Sequence, residues 1–230
     1  MYNILVLGDS HIDVFRFSNK KTKYFNFITV EVPGATAMGS TNPNSETNAL
    51  NIFTDILEKY KTELEQKIHY VMIMLGEVDC GFVIWVRSKK YNISIEEQLN
   101  LSISNYQCFI KNVILKYFNP NQVILLGSIL PTIKDNTDKR FLNGVRSEVD
   151  TPLKKRIETT LQYNNNLLFI SKELNTYYID ITNNIINDKH SCVKKEYLNT
   201  NPYNHHLDNF KTYRLWCNKL KGIILNNHQS

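Results

Sequence analysis

Five short apolar runs recur along the chain, at Tyr2–Leu7, Phe27–Val32, His69–Leu75, Gln122–Gly127 and Thr176–Ile181. They are rich in Ile, Val, Leu and Tyr without clean alternation, as strands covered on both faces should be. Between them the apolar positions change to a helical spacing. Asn48–Gln66 sets Leu50, Phe53, Ile56, Leu57, Tyr60 and Leu64 on one stripe. Ile95–Phe118 does the same with Leu99, Ile103, Tyr106, Ile110, Ile114 and Tyr117, and Asn119-Pro120 closes it. Leu153–Leu174 and His206–Leu225 complete the predicted helices. Strands alternating with helices imply right-handed βαβ crossovers. The pattern therefore predicts a three-layer α/β/α fold around a flavodoxin-like, doubly wound sheet of about five parallel strands. No linker or repeat interrupts it, so residues 1–230 read as a single domain. The longest irregular segment, Leu130–Asp150, is expected to shape a site.

Composition narrows the classes. A hydrophobic content of 42% supports an ordinary core, and 21% charged residues is usual for a soluble protein. No apolar run approaches the roughly 20 residues that span a bilayer, so no membrane partner is expected. Met1–Leu7 lacks a basic n-region and reads as a first strand, which points to a cytoplasmic protein. The four cysteines are scattered without a CxxC pair, as free thiols in a reducing compartment are. The net charge of +5 comes partly from local Lys and Arg clusters, not from a basic stripe with interleaved aromatics. No nucleic-acid partner is expected.

Candidate chemistry sits at the ends of the predicted elements. The first strand runs into Gly8-Asp9-Ser10-His11, which puts Ser10 at the carboxyl edge of the sheet, where open α/β folds hold ligands. Gly8 permits a tight turn and Asp9 can anchor it through backbone amides. Read alone, Gly-Asp-Ser is also a common turn, and Asp9 and His11 are secondary candidates. After the second strand, small residues over Val32–Gly39 let a backbone N–H approach a reacting carbonyl, or simply form a loop. After the third, Gly76-Glu77-Val78-Asp79 brings two acids to the same edge, to hold a base, order a loop or cap a helix. Before the last helix, Asn201–Asp208 carries His205 and His206. A serine nucleophile needs a base from elsewhere in the chain, and imidazole suits neutral pH. His205, His206 and Asp208 would make an irregular metal-ligand set, and neither a metal nor another cofactor is expected.

In this order, the four stretches resemble the SGNH (GDSL-type) hydrolase family over nearly the whole chain. Gly76–Arg87 and Ser128–Thr132 are also similar to an uncharacterised bacterial subgroup of GDSL-like proteins. The resemblance implies Ser10 as nucleophile. It implies the backbone N–H groups of Ser10 and Gly34 as oxyanion donors, with Gly39 as the alternative to Gly34. It implies His206 as base, with His205 as second choice. Two departures stand out. The family's third block is Gly-x-Asn-Asp, and Val78 replaces the donating Asn. Losing such a donor costs on the order of 10²–10³ in kcat. The family's last block has an Asp two or three residues before the His, and here Asn204 and Tyr203 stand there. Asn204 can still orient the imidazole by accepting from its N–H, and Glu77, Asp79 and Asp208 are candidate substitute acids.

The implied activity is that of a serine esterase on a small, acetyl-like acyl ester of a small molecule or glycan, without a cofactor. Acyl transfer to a glycan with the same Ser10 and His206 is one alternative. The other is a non-catalytic, ligand-binding protein of this fold, which Val78 and Asn204 favour. Arg140, Arg146 and Arg156 follow the fourth strand, where they can meet an anionic or sugar substrate or lie on a solvated surface.

Overall fold

The computed structural model describes residues 1–62, 67–142, 144–187 and 192–226. Its sheet contains β1 (Tyr2–Gly8), β2 (Phe25–Glu31), β3 (Tyr70–Met74), β4 (Val123–Leu126) and β5 (Tyr177–Ile179), ordered β2-β1-β3-β4-β5. Every pairing is parallel. Alternate residues of each strand enter opposite cores, as the two-residue period of a strand dictates. Ile4 and Val6 of β1 pack with Phe15 and Trp216 on one face, and Leu5 and Leu7 with Phe53, Phe109 and Leu167 on the other. Helices α1 (Asp13–Ser18) and α7 (Asn209–Asn226) cover the first face. Helices α2 (Ala49–Thr62), α4 (Ile95–Asn112) and α5 (Leu153–Glu173) cover the second. The expected three-layer α/β/α architecture is therefore present.

The differences from the sequence pattern are local. The continuation of α2 to Gln66, Leu64 included, lies outside the described residues. Helix α4 stops at Asn112, and Ile114–Lys116 forms a separate 3-10 turn. Two short helices were not expected: α1, and α3 (Ile84–Tyr91), which follows a π turn at Asp79–Val83. A one-turn helix, α6 (Thr182–Ile185), leads to a small antiparallel ribbon of β6 (Ile186–Asn187) and β7 (Cys192–Val193). Helix α7 begins at Asn209, three residues later than the pattern suggests, because Asp208 caps it. The Asp208 carboxylate accepts from Phe210 N at 2.9 Å. His206 is thereby left in the loop ahead of the helix.

Among the described residues, no helix is long and apolar enough to cross a membrane.

Candidate active site

The strand order changes direction at β1. The next strand in sequence, β2, lies on one side and β3 on the other. The crevice at the carboxyl ends of such neighbours is where doubly wound sheets hold ligands. Gly8 ends β1 against a crowded wall, since a Cβ there would collide with the Met74 carbonyl and the Ile12 side chain. Asp9 then turns the chain, and Ser10 opens a 3-10 turn leading to α1. A groove of about 560 Å³ lies over Ser10, lined also by Asp13, Arg16, Phe17, Glu31, His206 and Phe210.

The loop before α7 brings His206 to Ser10. Asn204 Oδ1 accepts from the His206 backbone N–H at 2.9 Å and faces ring Nδ1 at 2.9 Å. A backbone amide can only donate, so this atom of Asn204 is its carbonyl oxygen, and Nδ1 must carry the ring proton. His206 Nε2 is then the lone-pair nitrogen, 2.8 Å from Ser10 Oγ, which donates to it. Ser10, His206 and Asn204 thus form one hydrogen-bonded chain.

Gly34 adopts φ +76°, a left-handed conformation that glycine tolerates. Among the described residues, neither its N–H nor that of Ser10 has a hydrogen-bond partner. The Gly39 N–H is engaged by Thr36 Oγ1 at 2.8 Å and is not available to an oxyanion. None of the three acids considered as substitutes is hydrogen-bonded to His206. Buried Asp79 accepts from Ala37 N at 2.7 Å, Met38 N at 2.9 Å and Ser102 Oγ at 2.7 Å, and so shapes the loop after β2. Burial pushes its carboxyl upward, against the pull of those hydrogen bonds. Asp208 caps α7, and Glu77 faces His11, with Nε2 to Oε2 at 3.8 Å. Val78 is buried and donates nothing. Arg140 is exposed and pairs with Asp138. Arg156 is buried, donating to the carbonyls of Ile133 and Thr151 at 2.7 and 3.1 Å. Arg146 stacks on Phe82 and donates to His205 Nε2 at 2.8 Å, so the long irregular segment does reach the site.

The family resemblance implies no specific task for His11. Its ring lies 4.5 Å from that of His206, and His205 lies 4.0 Å from His206, centroid to centroid. Burial, then His11, His206 and Arg146, lower His205 to a pKa of about 2; burial, His11 and Arg146 lower His206 to about 4, against the pull of Asp9. For His11 burial acts downward, but Glu77 and Asp9 outweigh it and raise the pKa to about 9. Burial raises Glu77 to about 6, against His11 and Arg146. Ring nitrogens of His11, His205 and His206 lie within 4.8 Å of one another, but the set suits a metal poorly. Both His206 nitrogens are engaged, and His205 Nε2 faces a guanidinium. Of these three rings, only His11 has a buried nitrogen, Nε2, without a hydrogen-bond partner among the described residues.

No protein-family model matches the sequence, and no curated protein matches it. Solved structures do. A protein from Streptococcus pneumonia assigned as a platelet activating factor aligns with a TM-score of 0.58 at 16% identity, over 96% of this chain and 83% of that one. The acetyl xylan esterase AlAXEase aligns at 0.55 and 14% identity, over 96% and 98%. A GDSL-like lipase from Bacteroides thetaiotaomicron aligns at 0.53 and 12% identity, over 98% and 88%. With the strand order and layering, these likenesses give the chain the three-layer α/β/α fold of the SGNH (GDSL-type) hydrolases.

Proposed function

We propose that the chain is a single-domain serine esterase of the SGNH type acting on small, acetyl-like acyl esters. The observation that carries this reading is the continuous hydrogen-bonded chain from Ser10 Oγ through His206 to Asn204 Oδ1. His206 Nε2 takes the hydroxyl proton as Ser10 Oγ attacks the ester carbonyl. The negative oxygen of the tetrahedral adduct meets the unpartnered N–H groups of Ser10 and Gly34. Collapse expels the alcohol, which takes its proton from His206 and leaves an acyl-Ser10. Water, deprotonated by His206, then attacks the acyl carbon, and Ser10 Oγ leaves with the proton returned by His206 as the acid is released. With Val78 in place of a third donor, about 2.7–4 kcal/mol of transition-state stabilisation is missing, and turnover is slow.

Hydrolysis of p-nitrophenyl acetate and butyrate, measured for the native protein, Ser10→Ala and His206→Ala, tests the reading. Loss of at least about 10³-fold in both variants is expected. Equal, near-background rates in native protein and Ser10→Ala overturn it.

Acyl transfer to a glycan is favoured by one observation. The groove over Ser10 adjoins a second cavity of about 670 Å³ across Asn199 and Asn204, which leaves room for an acceptor. Appearance of an acylated sugar when a xylo-oligosaccharide is added, with less free acid, would mark transfer.

A further inference from the structure

Two histidines in this site are clasped in the same way. Asp9 Oδ1 accepts from the His11 backbone N–H at 2.9 Å and faces its Nδ1 at 3.0 Å. Asn204 Oδ1 does the same for His206, at 2.9 Å to both atoms. Each is an Asx-x-His turn whose first side chain takes both donors, and the two rings pack with 36° between their planes. The copies differ in charge. The carboxylate stands behind His11, while the imidazole that faces Ser10 has only a neutral amide. The far side of His11 faces a second carboxylate, Glu77, and both residues are buried, at 5% and 2% exposure. An imidazole enclosed between two buried carboxylates is held as imidazolium.

We propose that His11, held between Asp9 and Glu77, is a positioning residue for His206: its ring supports the base and its charge sets how acid the medium must be before the base is protonated and lost. The inference rests on the reading of His206 as that base. A proton on His206 is opposed by the one already on His11 at stacking distance, in a partly buried setting where like charges interact strongly. His206 is faced by His11 and Asp9 from the turn after β1, by Asn204 and His205 from its own loop, and through His205 by Arg146. Asp9 alone pulls His206 upward, while burial, His11 and Arg146 pull it down. The base is therefore available well into acid, and the acid limb of kcat/KM falls near pH 4 and not near 6.5.

Imidazole ¹H–¹⁵N and ¹H–¹³C NMR tests this without reference to activity. In the native protein at pH 7, His11 is expected doubly protonated and His206 neutral with its proton on Nδ1. In His11→Gln the His206 midpoint rises by about one pH unit, a tenfold gain in proton affinity, and the acid limb of kcat/KM follows. A neutral His11 at pH 7, or a His206 midpoint unmoved in the folded variant, overturns the proposal. Should His11→Gln not fold, the native spectrum decides. The expected NMR behaviour in a protein without esterase activity would keep the His11–His206 coupling and sink the esterase reading, so the two failures are told apart.

Discussion

Replacing Asn204 by Asp isolates charge from geometry at this site. The two side chains have the same shape, and Asn204 already accepts from the His206 backbone and Nδ1 through its oxygen. Neither the loop nor the tautomer needs to change. Serine proteases undergoing the opposite change lose about 10⁴ in kcat because the amide selects the wrong tautomer. Here the tautomer is already right, and only the stabilisation of imidazolium is missing. A neutral hydrogen bond contributes about 0.5–1.5 kcal/mol and a charged one about 1.5–3. The gain on forming imidazolium is thus about 1–1.5 kcal/mol, or roughly tenfold in rate. Plateau kcat/KM on p-nitrophenyl acetate should rise about tenfold in Asn204→Asp. Because an anion favours the protonated ring, the acid limb should move to higher pH. An unchanged or lower plateau with an unmoved limb, in a variant that melts like the native protein, would refute the assignment of Asn204 behind the base.

Two further outcomes concern stability. Asp79→Asn turns one acceptor toward a buried backbone donor of Ala37 or Met38 into an NH₂ group, and should cost about 2–4 kcal/mol in urea unfolding; a loss under about 0.5 kcal/mol would contradict its role in ordering that loop. The raised pKa of His11 stabilises the fold fully below its unfolded value of 6.5, and this contribution is lost as pH rises through about 9. Unfolding free energy should therefore drop by on the order of 2–3 kcal/mol between pH 6.5 and 9.5, a drop that His11→Gln should flatten.

The central strands were legible because both faces of β3 and β4, and most of β1, are buried, which leaves an apolar run that turns cannot imitate. Short α1 and α3 were not, because six to eight residues hold too few helical repeats to stand out. That Ser10, His206 and Asn204 come together could be read from strand ends and the family resemblance. The directions of Glu77 and Asp79 could not, since adjacent strand-end acids point wherever the following turn sends them. The π turn after Val78 sends Asp79 to the loop after β2, while Glu77 faces His11. The signal that would have found His11 was in the sequence all along, as the repeated spacing of Asp9-Ser10-His11 and Asn204-His205-His206.

Ser10 and His206, the proposed nucleophile and base, stand 196 positions apart. Their meeting depends on α7 seating Trp216 against Phe15, with Asn209 donating to Asp13 at 2.8 Å. At roughly 5–20 residues per second of synthesis, Ser10 leaves the ribosome about 10–40 s before His206. Throughout that interval the nascent chain carries an inert hydroxyl. On the proposed reading, ester chemistry begins only when the last helix docks, so its onset would time the completion of folding.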